Sequence, residues 1–253
     1  MLPPQPTEEH QEQLQQAIFA LPGPEHWSCS GKLEIAGTEI TVIEKPGQGQ
    51  KGTGWAVWDA SVVLARYLDL AAQQMRVELQ VAAAATGQQE PTVVELGSGT
   101  GVAGLSAALA LRLPTLLTDL PEVLPSLEQG VAANAGWGAH QLVSLAACDW
   151  SDPPRDAGAL GLPGPPALVL AADCVWLEPL VSPFVSTLAR LAGPHTRVLL
   201  AHQSRSARVD EALQLLLAAA GFVSEPVLLL PGEPPRGKIE LRWLRRLEGG
   251  VGA

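Results

Sequence analysis

Cysteine is scarce in this chain: Cys29, Cys148 and Cys174 are scattered, odd in number and without C-x-x-C spacing. That excludes a disulfide framework and gives no zinc-ligand pattern. His, Asp and Glu nowhere cluster at metal-ligand spacing, so no metal is expected. Basic residues are also few, with 16 Lys and Arg against 26 Asp and Glu. A net charge of −10 argues against a nucleic-acid backbone as the main partner, because phosphates require a basic footprint. A cationic partner suits this balance better, through electrostatic steering. Long apolar runs are missing as well, each being broken by Gly, Pro or charge well short of the ~20 residues a membrane-spanning helix needs. The opening MLPPQPTEEHQEQLQQ carries Glu8, Glu9 and Glu12 and no Lys or Arg, unlike a signal or transit peptide. The expectation is a soluble cytoplasmic protein with reduced thiols, the nucleus being the alternative compartment.

Apolar mass, by contrast, is plentiful. The 253 residues are 47% hydrophobic and 17% charged, enough to bury a sizeable core. Residues 7–20 read as a helix, with Thr7 at its N-cap and a capping box left incomplete by His10. KLEIAGTEITVIEK (32–45) alternates around Gly37 and predicts a hairpin, and KPGQGQKGTG (45–54) predicts a loop. Helical spacing returns at 55–71, with 72–90 extending or following that helix. From there strands read at 92–96, 114–118, 142–147, 167–172 and 196–201, and helices near 102–112, 121–134, 179–192 and 207–220. Uninterrupted apolar strands of this kind suit a mostly parallel sheet covered on both faces. The Pro/Gly-rich 152–166 predicts an exposed irregular excursion, and 231–237 joins FVSEPVLLL and KIELRWLRR as a terminal antiparallel pair. The reading is one α/β domain over 1–253, with an N-terminal helix and hairpin extension (1–54) and a core at 55–247.

The chemistry concentrates in VVELGSGTGVAG (93–104). Gly97, Gly99, Gly101 and Gly104 fall within eight positions after a β-branched run, and Asp119 stands twenty residues beyond Gly99. A strand, a glycine loop, a helix and a second strand ending in an acid make a nucleoside site. The loop lets backbone approach the ligand, and the acid accepts the ribose hydroxyls. The glycines satisfy a dinucleotide pattern and a methyl-donor pattern equally. Glu95 favours the donor: an acid directly before the loop suits the ammonium of a methionine moiety and repels a pyrophosphate.

Five segments in order carry a resemblance: GWAVWDASVVLARYL (54–68), VVELGSGTGVAG, TDLPEVLPSLEQGVAAN (118–134), AACDW (146–150) and AADCVWLEP (171–179). This order resembles the seven-strand methyltransferases of the family-sixteen lysine methyltransferase group, over roughly residues 30–245. That group includes enzymes acting on valosin-containing protein, heat-shock chaperones and translation elongation factors. The resemblance implies a Rossmann-like seven-stranded sheet, mostly parallel with an antiparallel last strand, that binds S-adenosylmethionine at the strands' C-terminal ends. It places Trp58 against the methionine end, Gly97, Ser98 and Gly99 in the loop, and Asp119 on the ribose. It sets Trp150 beside the adenine and brings the backbone of Ala172 close to the donor.

On the acceptor side a lysine must shed a proton before it has a lone pair to use. Burial beside a cation lowers its pKa and a nearby carboxylate raises it. Asp173 therefore orients the acceptor without making it reactive, and water or bulk takes the proton. Where the family has Asp-x-x-Tyr or Asp-x-x-Phe, this chain has Asp173-Cys174-Val175-Trp176. A Trp176 face packs a lysine stem and attracts an alkylammonium, but it is bulkier than Tyr and has no hydroxyl. Cys174 reads as a small filler, Asp149 as a loop carboxylate and His202 as a hydrogen-bonded strand-end histidine. The sequence thus predicts a monomeric protein-lysine N-methyltransferase acting on a basic protein surface. Its alternatives are a methyltransferase for a small amine or another side chain and a non-catalytic donor-binding scaffold. An NAD-dependent oxidoreductase survives only on the glycine spacing, and it lacks a Tyr-x-x-x-Lys partner since Tyr67 is the only tyrosine.

Overall fold

The computed structural model describes residues 32–45, 53–227 and 239–247. The helix expected at 7–20, Cys29, most of the 45–54 loop and the 231–237 segment lie outside the described residues.

The hairpin forms as its alternation requires. Strands Lys32–Ile35 (β1) and Thr38–Thr41 (β2) pair antiparallel with Ile35 opposite Thr38. Between them Ala36 and Gly37 both take positive φ, 50° and 70°, the handedness that a two-residue turn needs to match strand twist. Leu33, Ile35 and Ile40 are buried against the main body.

The long helix starts later than its apolar spacing suggested. It runs Asp59–Ala85 (α1), because Trp58 is extended (φ −108°, ψ 144°) and its carbonyl accepts from the N–H and hydroxyl of Ser61 at 2.9 and 2.6 Å. It then continues without a break through the alanine- and glutamine-rich stretch. Gly87 (φ 72°) ends it, with the Gln88 N–H returning to the Ala83 carbonyl at 3.0 Å. Ala60, Leu64, Leu68, Met75, Leu79 and Ala83 line its buried face at helical spacing.

Beyond α1 the elements alternate: Val93–Leu96 (β3), Val102–Leu111 (α2), Thr115–Asp119 (β4), Leu124–Ala133 (α3), a short turn of helix Ala139–Leu142 (α4) and Val143–Ala147 (β5). Leu168–Ala172 (β6), Glu178–Leu191 (α5), Arg197–Gln203 (β7), Ala207–Ala219 (α6), Phe222–Pro226 (β8) and Ile239–Arg246 (β9) complete the chain. Every strand and helix read between residues 92 and 220 falls within three residues of its observed bounds. The 152–166 excursion holds a single 3₁₀ turn at Ala157–Leu160, capped by the Asp156 side chain.

The large sheet has seven strands in the order β5-β4-β3-β6-β7-β9-β8. Strands β5, β4, β3, β6 and β7 are parallel, and β9 alone runs the other way, inserted between β7 and β8. The terminal pair is therefore antiparallel as read, with its last strand as the inner one. Alternate residues feed two separate cores. Val93, Leu117, Leu168, Leu170 and Leu199 face α1, α2 and the hairpin, while Val94, Leu116, Val169, Val198 and Leu200 face α5 and α6. Each fully buried Leu or Val contributes about 1.5–3 kcal/mol, so the sheet is held from both sides. All ten residues of α2 are buried, which is why it is apolar all round. Chain order reverses between β3 and β6, which opens a crevice at the C-terminal edge, where open α/β sheets bind ligands.

One side chain fastens the hairpin to the end of α3. Asn134, 2% exposed at the end of α3, accepts from the Thr41 N–H at 3.0 Å and donates to the carbonyls of Thr41 and Gly130 at 2.7 and 2.8 Å. Its Oδ1 also receives the Trp137 indole N–H at 3.1 Å. Asn134→Ala leaves these buried groups without partners, so urea denaturation is expected to show a loss of about 2–4 kcal/mol. Faster hydrogen exchange at the Thr41 amide would accompany it, and an unchanged midpoint would show that the clip carries no load.

Candidate active site

The glycine loop leaves β3 through residues that only glycine tolerates well. Gly97, Gly99 and Gly101 have φ of 67°, 54° and 79°. A Cβ at Gly97 would stand 3.0 Å from the Cβ of Cys174 and 3.2 Å from the indole of Trp150. The loop is bolted to β4: the Ser98 N–H donates to the Thr118 carbonyl at 3.0 Å, and the Thr118 hydroxyl donates to the Glu95 carbonyl at 2.7 Å. Asp119, at the end of β4, accepts from the Gly99 and Leu120 N–H groups, both at 2.7 Å. Burial pushes its carboxyl up from the ordinary range, and these two donors pull it back.

Glu95 has a different partner from the one its place in the sequence suggests. Its carboxyl turns beneath the loop, 2% exposed, and Oε2 accepts from the Gly104 N–H at 3.1 Å at the start of α2. A Cβ at Gly104 would lie 2.5 Å from that oxygen, so the fourth glycine serves Glu95 and the helix above it.

The segment before α1 lies across the loop. Gly54 touches Gly99, whose added Cβ would meet the Gly54 carbonyl oxygen at 3.4 Å. The Val57 N–H donates to Glu44 at 2.8 Å, and the indole N–H of Trp58 donates to the Thr53 carbonyl at 3.0 Å. Trp58 remains 40% exposed at the crevice. On the other side Trp150 meets Phe184 edge to face, with ring centroids 5.3 Å apart, and closes on Gly97. Asp149 is exposed and folds back onto the Ser151 N–H at 2.8 Å, as a loop carboxylate would.

At the end of β6, Ala172 pairs with Ala201, and Asp173 follows in the left-handed region at φ 52°. Its N–H donates to the Ala201 carbonyl at 2.8 Å, which fixes the turn. The Asp173 side chain is 1% exposed and both its oxygens are taken by the guanidinium of Arg205. Sequence reading did not find Arg205. It lies 32 residues from Asp173, and its only local signal is that it follows β7, the neighbour of β6. Gln203 belongs to the same group, its Oε1 accepting from Arg205 at 2.6 Å. Asp59, first residue of α1, lies close enough for the charges of Asp173 and Arg205 to act on it. Trp176 is 37% exposed beyond the buried Val175. The Cys174 thiol is driven far up by burial and then by the charge of Asp173, so it is no nucleophile. His202 is buried and paired through Nε2 with Asp210 at 2.8 Å.

Together, left-handed glycines, an acid holding the loop and an indole close against Gly97 make a crevice that fits a nucleoside-bearing methyl donor. Among the described residues no cluster of three His, Cys, Asp or Glu could hold a metal, and no helix is long and apolar enough to cross a membrane.

Burial raises Glu95 from its ordinary 4.5 to about 8, with hydrogen bonds from Ser98 and Gly104 offsetting only part of that. Between those values the folded chain keeps a proton that the unfolded chain has released. The contribution of Glu95 to stability is thus full at low pH and is lost as pH rises through the folded value. Thermal denaturation from about pH 5 to about pH 9 should show the wild type losing stability more steeply than Glu95→Gln. Parallel curves would mean that Glu95 ionises normally.

The lysine methyltransferase family model matches residues 37–218. EEF1A lysine methyltransferase 3 of Mus musculus is 32% identical over 180 residues, covering 71% of this chain and 68% of that protein. Protein N-lysine methyltransferase METTL21A of Mus musculus is 32% identical over 167 residues, covering 66% of this chain and 68% of that one. A family match across most of the chain, over a crevice of this shape, settles the choice that the glycine spacing left open between a dinucleotide and a methyl donor. The chain belongs to the lysine methyltransferase family, with S-adenosylmethionine as its methyl donor.

Proposed function

We propose that this enzyme methylates a lysine on a basic surface of a cytoplasmic protein, acting as a monomer, with neither nucleic acid nor membrane as partner. The observation that carries the reading is the buried Asp173 carboxylate at the β3/β6 crevice, next to the glycine loop, with its partner Arg205 over the ring of Trp58 and the part-exposed Trp176 three residues on. The net charge of −10 supports a basic partner surface. Two relatives bear names that specify protein lysine or elongation factor 1A, which makes elongation factor 1A the first defined substrate to try.

Asp119 holds the ribose, the Gly97–Gly99 loop and Ala172 bring backbone to the donor, Trp150 flanks the adenine and Trp58 the methionine end. Glu95, buried and bonded to the Gly104 N–H, fixes the loop from beneath instead of meeting the ammonium as its place in the sequence suggested. When bound, the donor supplies a methyl activated by a sulfonium, open to in-line displacement by a neutral amine. The chain's own work is positioning and exclusion of water. Asp173 orients the amine, Trp176 packs its stem, and the proton leaves to solvent.

Labelled donor incubated with whole-cell protein, and with elongation factor 1A alone, tests this reading. Asp119→Ala removes a charged hydrogen-bond partner and should weaken donor binding by roughly ten- to a hundredfold, with labelling falling in step. Label confined to small molecules would sink the protein-substrate reading.

A second reading, a donor-binding scaffold without transfer, is favoured by Trp176 standing where the family has Tyr or Phe. Trp176→Tyr separates the two: a slow enzyme should gain rate or change its methylation state by mass spectrometry, whereas a scaffold would stay inert.

A further inference from the structure

The acceptor side contains a cation that methyl transfer as described does not use. Arg205 covers both oxygens of Asp173, reaches Gln203 Oε1 at 2.6 Å and lies 5.5 Å from the ring centroid of Trp58. Its bonds to Asp173 raise its own pKa further, so it is cationic at every working pH. The pair sits where β6 and β7 end side by side, walled by the start of α1.

A carboxylate alone beside an acceptor ammonium holds the proton on it, by one to three pH units when the charges are within about 4–6 Å. Asp173 without a counter-charge would attract the lysine and then keep it unreactive. Arg205 resolves that conflict. A carboxylate has about four lone-pair positions, and a bidentate guanidinium uses two of them. The rest are not used by Arg205, and because the side chain is only 1% exposed a neutral amine reaches them by displacing what covers it at the crevice wall.

We infer that Arg205 is the positioning residue that lets the acceptor lose its proton, by cancelling the charge of Asp173 while leaving it able to accept a hydrogen bond. The inference rests on the reading of Asp173 as the acceptor-facing group. The remaining charged groups around the pair can be placed. Asp59 faces it from α1. Glu95 and Asp119 lie on the donor side and Cys174 is neutral. His202 is paired with Asp210 at 2.8 Å, and Arg208 with Glu178 at 2.9 Å, at the ends of β7, α5 and α6. Removing Arg205 therefore leaves Asp59 and Asp173 uncancelled before the acceptor.

The test is the pH dependence of label transfer into whole-cell protein at saturating donor, for wild type, Arg205→Lys, Arg205→Gln and Arg205→Gln with Asp173→Asn. Arg205→Gln should move the acid limb up by one to two pH units, so that transfer near neutrality falls about ten- to a hundredfold and recovers at high pH. Arg205→Lys keeps the charge and should keep the limb, and the double variant should bring it back. A loss by one factor at every pH, or coincident limbs for Gln and wild type, would overturn the inference.

A readout without substrate accompanies it. Millimolar ethylguanidinium should raise the melting temperature of Arg205→Ala and leave Arg205→Ala with Asp173→Asn unmoved. Equal response of the two would also overturn the inference. Donor binding without any wild-type transfer into protein would instead overturn the protein-lysine function itself, and this inference with it.

Discussion

The carboxyl of Glu95 lies against Gly104, where a Cβ would stand 2.5 Å from its oxygen and 2.9 Å from Cγ of Leu117. That one contact sets the geometry of the donor crevice. It joins the end of β3 to the first turn of α2 across the intervening loop. The loop must then leave the sheet through left-handed glycines, and Asp119 and Thr118 of the next strand hold it there. A buried acid that favours its proton is an expensive anchor in an apolar layer. It persists because a helix N-terminus supplies the N–H that satisfies it.

The half of the crevice around Asp173 is built differently. Its parts come from four places in the chain: the start of α1, the turn after β6, the end of β7 and the residues just beyond. They meet because parallel strands in register all end on one edge. Backbone geometry helps here too. Asp173 is one of only three non-glycine residues with positive φ among those described, and its bond to Ala201 keeps it so. The left-handed turn tucks its carboxylate inward, where a single guanidinium suffices to neutralise it.

Much of this was legible in the sequence, and the reason is local. Strands buried on both faces appear as unbroken apolar runs, glycines announce the loop, and acids or tryptophans at strand ends mark the edge. The family resemblance rested on those same segments. What the sequence hid depends on sequence-distant pairing. Arg205 and Asp173 are 32 residues apart, and Asn134 reaches Thr41 across 93. Neither arginine in a loop nor asparagine at a helix end declares its partner. Glu95 was visible as an acid before the loop, but the direction of its side chain follows from the sheet's pleat, which sets it on the same face as Val93, towards α2. The start of α1 lies four residues beyond the apolar spacing because Trp55 and Val57 continue an apolar pattern through a turn and bend, and the chain is still extended at Trp58.

The length of α1 gives the site a mechanical property. At 1.5 Å per residue its 27 residues make a rod of about 40 Å. It is fastened in its first half to the hairpin by Arg66 and Asp69, and farther along to the sheet by the ion pair of Glu78 with Arg197, which itself lies over Trp243. Trp58 and Asp59 are simply the tip of this rod. The wall facing the acceptor therefore behaves as the end of a clamped beam: it cannot give way sideways without bending the helix or pulling a distant clamp. Whatever enters the crevice on this side therefore meets a wall whose position is fixed by contacts well removed from it.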